Sequence, residues 1–298
     1  CIKIKSEDMK KILLVFMGLL PFALMAQRDW SQAVVSTTEV VPGIYRLMVD
    51  DRVSVVAYTG EQGLLVIDAA YEQTTPQLTK ALEQLSRHPV DFLINTHIHG
   101  DHTGGNAVIG RNARIIAHTS VRDYLATPRR QADRVIPALP DYALPDICFT
   151  DAMTLVYNSE ELQLRHLPEG HTGGDIIVHF PLSHVLVMGD LLFADNFPFV
   201  DVANGGNPLG FMKNLQWVID NFPKETILIG GHGPVFTMSE FRQYHTRLLE
   251  TLEVVRSAKA EGMDAQQMKA ARILEPWKEM GLFFITEDRW IDTLYPYL

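Results

Sequence analysis

The chain has 298 residues, 47% of them apolar, and a net charge of −10. That length allows one large domain or two ordinary ones, with enough apolar residues for a sizeable core. No charge block or low-complexity tract argues for global disorder, and the acidic balance argues against a nucleic-acid partner, because phosphate binding needs a Lys/Arg surface.

The N-terminal stretch from Met9 to Gln27 has a short basic start at Lys10 and Lys11, then an apolar run from Ile12 to Met25. The run is too short and wrongly flanked for a stable membrane span. It predicts a secretory leader over 1–26, with Met9 as the start, residues 1–8 as an upstream extension and cleavage after Ala26. The expected location is therefore periplasmic or secreted, with no membrane association once the leader is cut. An uncleaved N-terminal anchor is the other reading. Without the leader only Cys148 remains of the two cysteines, so no intramolecular disulfide can form. Cys148 is expected to be a buried apolar filler.

After the leader, VVSTTEVVPGIYRLMV, RVSVVAYTG and GLLVIDAA are β-branched runs broken by Pro-Gly and Gly, the pattern of a meander. Leu78, Leu82 and Leu85 have helical spacing and predict a helix over 72–86. VDFLIN reads as a buried strand, RIIAH as a short one, and 119–126 as a helix. Residues 127–150 carry four prolines and no clear period, which predicts a long surface excursion. Strands resume with ELQLRHL, DIIVHF and HVLVMGD. A helix is expected over 211–222, a strand at TILI, and helices from 239 onward, at 264–272 and at 286–297. No linker divides the chain. The expected organisation is one sheet-rich domain over 27–238 and a helical extension over 239–298 packed on it, with Trp277 and Trp290 as aromatic anchors.

The chemistry concentrates where polar residues interrupt the apolar strands. Residues 97–102, His-Ile-His-Gly-Asp-His, follow VDFLIN directly. In an extended strand end, i and i+2 point the same way, so His97 and His99 can reach one ion. Gly100 lets the chain bend, so that Asp101 and His102 can turn toward a second point. A single ion would rarely need all four, and two ions need more donors. Three further candidates sit at strand ends beside glycine: His171 in PEGHTGGD, Asp190 in HVLVMGD and His232 in IGGHGP. His118 ends RIIAH and could line the same pocket. Asp68 ends GLLVID, as a strand cap or as a brace for the histidine loop. Thr96, Thr103 and Thr172 flank the candidates and could hydrogen-bond them.

THIHGDHTGG, followed in order by GHTGGD, GDLLF and GGHGP, resembles the metallo-β-lactamase superfamily over about residues 40–236. The resemblance implies an α/β fold, the four-layer αββα sandwich, with the site at one edge of two sheets. It implies a dinuclear centre: His97, His99 and His171 on one ion, Asp101, His102 and His232 on the other, Asp190 between them, and Asp68 bracing the metal loop. It also implies two zinc ions, with iron or manganese as alternatives. Two ions about 3.5–4 Å apart can share a hydroxide and lower the pKa of water from about 15.7 to roughly 7. Asp101 would orient that nucleophile.

The chain departs from the best-known dizinc β-lactamases in two ways. They have Cys where this chain has Asp190, and a Lys a few residues later. No Lys or Arg occurs between Asp190 and Met212, so an anionic substrate group has no partner there. Arg129, Arg130 and Arg134 in the proline-rich excursion are the nearest candidates. The expected activity is hydrolysis of a small-molecule ester, lactone, thioester or amide, with a β-lactam within reach. A mononuclear iron sulfur dioxygenase and a non-catalytic metal-binding protein remain as alternatives.

Overall fold

The computed structural model describes residues 29–131 and 134–298, so the expected leader over 1–26 lies outside them. The meander forms as four strands: β1 (Val35–Val41), β2 (Ile44–Val49), β3 (Val53–Thr59) and β4 (Leu64–Ile67). Helix α1 (Thr75–Leu85) leads to β5 (Val90–Ile94), and two single turns, α2 (Gly100–Thr103) and α3 (Asn106–Ile109), precede β6 (Arg114–His118) and α4 (Thr119–Leu125). The proline-rich excursion is more ordered than its sequence predicts. It contains a small hairpin, β7 (Arg129–Gln131) with β8 (Arg134–Ile136), and an edge strand, β9 (Ile147–Phe149). The second sheet follows with β10 (Ala152–Tyr157), β11 (Glu160–His166), β12 (Ile176–Phe180) and β13 (Val185–Gly189). Helix α5 (Pro208–Asn221) leads to β14 (Ile227–Gly230) and β15 (Phe236–Thr237), and the chain ends in α6 (Met238–Ala260), α7 (Ala265–Ala270) and α8 (Glu287–Leu294).

Two sheets result, in the orders β1-β2-β3-β4-β5-β6-β9 and β10-β11-β12-β13-β14-β15. The side-chain period of two sorts each strand between two cores. Leu65 and Ile67 of β4 join Val178, Val185 and Val187 in a cluster shared by both sheets, while Leu64 and Val66 pack with Leu78 and Leu82 of α1. In the second sheet, Leu186 and Met188 of β13 pack instead with Phe211 of α5 and Phe241 of α6. Central strands are thus buried on both faces, and the layers run helix, sheet, sheet, helix, as expected from the resemblance.

Strand direction sets where the chemistry goes. β4 pairs parallel with β5, Ile67 opposite Ile94, and β13 pairs parallel with β14, Val187 opposite Ile229. Parallel partners end on the same edge of a sheet, so Asp68, His97, Asp190 and His232 emerge together. The two sheets are tied there by backbone bonds from Ser54 N to Gly231 O (2.8 Å) and from Ile176 N to Thr96 O (2.9 Å).

The helical extension shares a core with the second sheet. Trp290 is fully buried, stacks on Phe197 at 5.8 Å and donates from its indole nitrogen to Thr251 Oγ1 at 2.9 Å. Trp277 is partly buried and donates to Glu250. Cys148 does not fill the core: it is exposed, because β9 is the last strand of its sheet and has a neighbour on one side only. Among the described residues no helix is long and apolar enough to cross a membrane.

Candidate metal centre

The structure brings all seven candidate donors to one edge, in two groups. Donor atoms of His97, His99, His171 and Asp190 lie within 4.8 Å of one another, as do those of Asp101, His102 and His232. Asp190 faces both groups. Its Oδ2 is 3.4 Å from His171 Nε2 and 3.3 Å from His232 Nε2, and its Oδ1 is 3.2 Å from His102 Nε2. Asp101 Oδ2 lies 3.5 Å from His232 Nε2.

The far side of every imidazole is tied to an acceptor. His102 Nδ1 donates to Asp68 Oδ2 (2.8 Å), His171 Nδ1 to Phe199 O (2.7 Å), His232 Nδ1 to Arg52 O (2.6 Å) and His99 Nε2 to Asp201 Oδ2 (2.9 Å). His97 Nδ1 donates to Thr96 Oγ1 (3.0 Å), whose own hydroxyl donates to Asp68 Oδ2 (2.8 Å). These bonds fix one tautomer per ring and turn the remaining lone pair toward the shared centre. Three buried atoms there, His97 Nε2, His102 Nε2 and Asp190 Oδ1, have no hydrogen-bond partner. Imidazole nitrogens and a carboxylate oxygen that converge on one buried point are the arrangement a cation satisfies. Imidazole and carboxylate donors fit a divalent ion of the zinc, iron or manganese type.

Electrostatics in the metal-free protein agree. Burial pushes His97 well below the ordinary imidazole range and His171 down to about 4, which leaves both neutral and ready to donate a lone pair. Burial also works against a charge on His102 and His232, but the carboxylates around them together, Asp190 and Asp101 for both and Asp68 for His102, hold both above that range. Burial would raise Asp190, yet His232, His102 and His97 hold it well below the ordinary carboxylate range. Protons thus take the place that cations would fill.

Backbone geometry supports the centre at two positions. Asp68 has a left-handed backbone (φ 64°) just past β4, pinned by its N–H to Ile94 O at 2.7 Å. That turn points its carboxylate back at Thr96 N (2.8 Å) and His102. Gly231 has no room for a side chain, since a Cβ there would meet Asp190 Oδ1 at 2.0 Å. The Asp68→Ala variant leaves three buried donors, Thr96 N, Thr96 Oγ1 and His102 Nδ1, without this acceptor and is expected to lower metal affinity by roughly 10- to 100-fold. Competition against a chromogenic chelator measures this, and an affinity within about twofold of wild type would detach Asp68 from the centre.

Of the other candidates, Thr96 touches His97 and Thr103 Oγ1 donates to His99 O, while Thr172 serves Asp175 instead. His118 is not among the seven. It stacks on His166 at 3.9 Å and bonds Ser120 and Thr150. Arg129 is turned away, its guanidinium on Tyr124 O and over the Tyr124 ring, and Arg130 is exposed. Sequence reasoning missed Asp201 and the carbonyls of Phe199 and Arg52. Asp201 stands in an acidic segment already noted for lacking Lys and Arg, but nothing local marks it as the partner of His99.

Asp175, which ends the His171 loop, is buried and accepts from Thr172 N at 2.8 Å. Burial pushes its carboxyl up to about 7, against the pull of the Thr172 bonds. A folded-state pKa above the unfolded value means stability present at low pH and lost as pH rises from about 4 through about 7. Chemical denaturation of the metal-free protein is expected to show this loss, on the order of a few kcal/mol, with Asp175→Asn removing that part of the slope. Identical pH profiles for the two proteins would contradict it.

The chain matches the profile of the metallo-beta-lactamase superfamily over residues 48–244. It is 24% identical over 235 residues to a metallo-beta-lactamase type 2 of Bacteroides fragilis, covering 76% of this chain and 90% of that protein. It is also 27% identical over 168 residues to the 2,4-dinitroanisole O-demethylase subunit alpha of a Nocardioides species, covering 55% of this chain but only 48% of that subunit. Among solved structures, a metallo-beta-lactamase from Pontibacter korlensis superposes with a TM-score of 0.58 at 20% identity, over 72% of this chain and 99% of that one. With a profile match over more than half its length and the His/Asp cluster at the expected sheet edge, the chain belongs to the metallo-beta-lactamase superfamily.

Proposed function

We propose that this protein is a dinuclear, zinc-dependent hydrolase of a small-molecule ester, lactone, thioester or amide, with β-lactams within its reach. The observation that carries the reading is the pair of donor groups on either side of Asp190, with the buried atoms His97 Nε2, His102 Nε2 and Asp190 Oδ1 turned into the space between them. His97, His99 and His171 would hold one ion, Asp101, His102 and His232 the other, and Asp190 would touch both. Bound divalent ions supply Lewis acidity toward a carbonyl oxygen and acidify water.

The protein's own residues do the rest. Asp68, Thr96 and Asp201 keep the imidazoles in one tautomer and one orientation. Asp101 is the more open carboxylate, 21% exposed against 4% for Asp190, so it can accept a hydrogen bond from the attacking water and orient it. The missing cation between Asp190 and Met212 favours a substrate without a carboxylate at that position. Two of the relatives bear names for different reactions, a metallo-beta-lactamase and a 2,4-dinitroanisole O-demethylase subunit, so membership of the superfamily does not fix the bond that is broken. A periplasmic or secreted location follows from the leader reading and is proposed with it.

Elemental analysis of protein purified without added metal tests the reading, together with a panel of lactones, thioesters, aryl esters and a chromogenic cephalosporin. Two zinc per chain and turnover on the panel are expected. One iron per chain without hydrolysis would overturn the proposal in favour of a mononuclear dioxygenase. Bound zinc without turnover would favour a binding protein.

A further inference from the structure

Three consecutive large apolar side chains are exposed beside the metal centre. Leu282 is 80% exposed, Phe283 49% and Phe284 51%, in the loop between the buried residues Met280 and Ile285. The loop is held at both ends. Met280 O accepts from Phe197 N at 2.8 Å, and Thr286 caps α8 through Arg289 N. Arg289 also donates to Phe284 O at 3.0 Å and sets its guanidinium 4.7 Å from the Phe284 ring. A firmly anchored loop that nonetheless displays contiguous apolar area is the signature of a binding surface, whereas single exposed apolar residues are ordinary.

The rings continue the rim of the centre. Phe283 lies 6.1 Å from the His232 ring. Phe284 meets Phe199 edge-on at 5.6 Å, and Phe199 stacks on His99 at 5.7 Å. His99 and His232 are two of the three donor residues that reach solvent, with side-chain exposures of 19% and 12%. The aromatic wall therefore stands where a substrate must approach. Arg289, the cation on this wall, turns its guanidinium to the Phe284 ring and carbonyl.

We infer that the Phe283–Phe284 loop is the substrate-selecting wall of the site, and that it takes a long aliphatic acyl chain of an ester or lactone. The inference rests on the hydrolase reading and names the substrate class within it. A second copy, a protein partner or a membrane surface would not require the rings to face the donor histidines.

The test uses the full zinc-loaded protein, as wild type and as the Phe283→Ala/Phe284→Ala double variant. Both are run on p-nitrophenyl esters from acetate to octanoate, and binding of the matching straight-chain carboxylates is followed by calorimetry. A fully buried methylene is worth roughly fourfold in affinity, so a wall open on one side should give about twofold per methylene. Wild type is expected to show that slope in kcat/KM and in carboxylate affinity, and the double variant to lose it. A flat wild-type series, or an equal slope in the variant, would overturn the inference. Absence of ester hydrolysis would remove only esters from the hydrolase reading, because the carboxylate series still decides the wall. An unchanged slope together with lost sedimentation on anionic phospholipid vesicles would reassign the loop to a membrane surface.

Discussion

Asp190→Asn is expected to fold normally, to retain at most one ion, and to lose turnover by roughly 10³-fold. The carboxylate is 4% exposed and lies within 3.2–3.7 Å of imidazole nitrogens from His97, His102, His171 and His232. An amide keeps the size but removes the charge that two cations would share. Its NH₂ also cannot accept, so one side of the centre would lose a donor. Loss of several kcal/mol of transition-state stabilisation corresponds to about three powers of ten in rate. Elemental analysis and steady-state kinetics on the best panel substrate measure both effects. Two ions per chain and a rate within about tenfold of wild type would remove Asp190 from the shared position.

Trp290→Ala is expected to be the most damaging change outside the centre, at about 3–5 kcal/mol. Trp290 is fully buried, stacks on Phe197 with a 20° interplanar angle, and donates to Thr251. Truncation leaves a cavity between α8 and the segment that also carries Asp190 and Asp201. For a chain of this size the midpoint of thermal unfolding should fall by roughly 10 °C. Trp290→Phe keeps the stacking and loses only the indole N–H, while Thr251 Oγ1 still donates to Leu248 O at 2.8 Å. It should therefore cost far less. Similar melting temperatures for the Ala variant and wild type would show that the helical extension contributes little to the stability of the sandwich.

Most of the regular structure could be read from the chain, because period and burial are local properties. The four-strand meander, β5, β6, β11 to β14 and the helices fall close to their expected positions. The misses have physical reasons. β9 and β10 are edge strands of their sheets with alternating or short patterns, and they form because a neighbouring strand offers an unpaired edge, Ile116 opposite Ile147 and Met153 opposite Leu164. The placement of Cys148 follows from the same cause. A small apolar residue is normally drawn inside, but on an edge strand its side chain has solvent as a neighbour.

By itself the sequence marked the seven candidate donors. Imidazole and carboxylate are the only side chains at those strand ends that can hold a hard-to-borderline cation, and glycines beside them allow the turns that expose them. Only the tertiary structure decided what holds those donors and what faces them. His99 takes its partner Asp201 from 102 residues away and His232 takes the Arg52 carbonyl from 180 residues away. The Phe283–Phe284 wall arrives from the far end of the chain. Hydrophobic period tells which face of an element is buried, but not which distant segment will cover it. That choice is made by strand direction and by the packing of two sheets, and it is what turns seven separated polar residues into one centre with an approach.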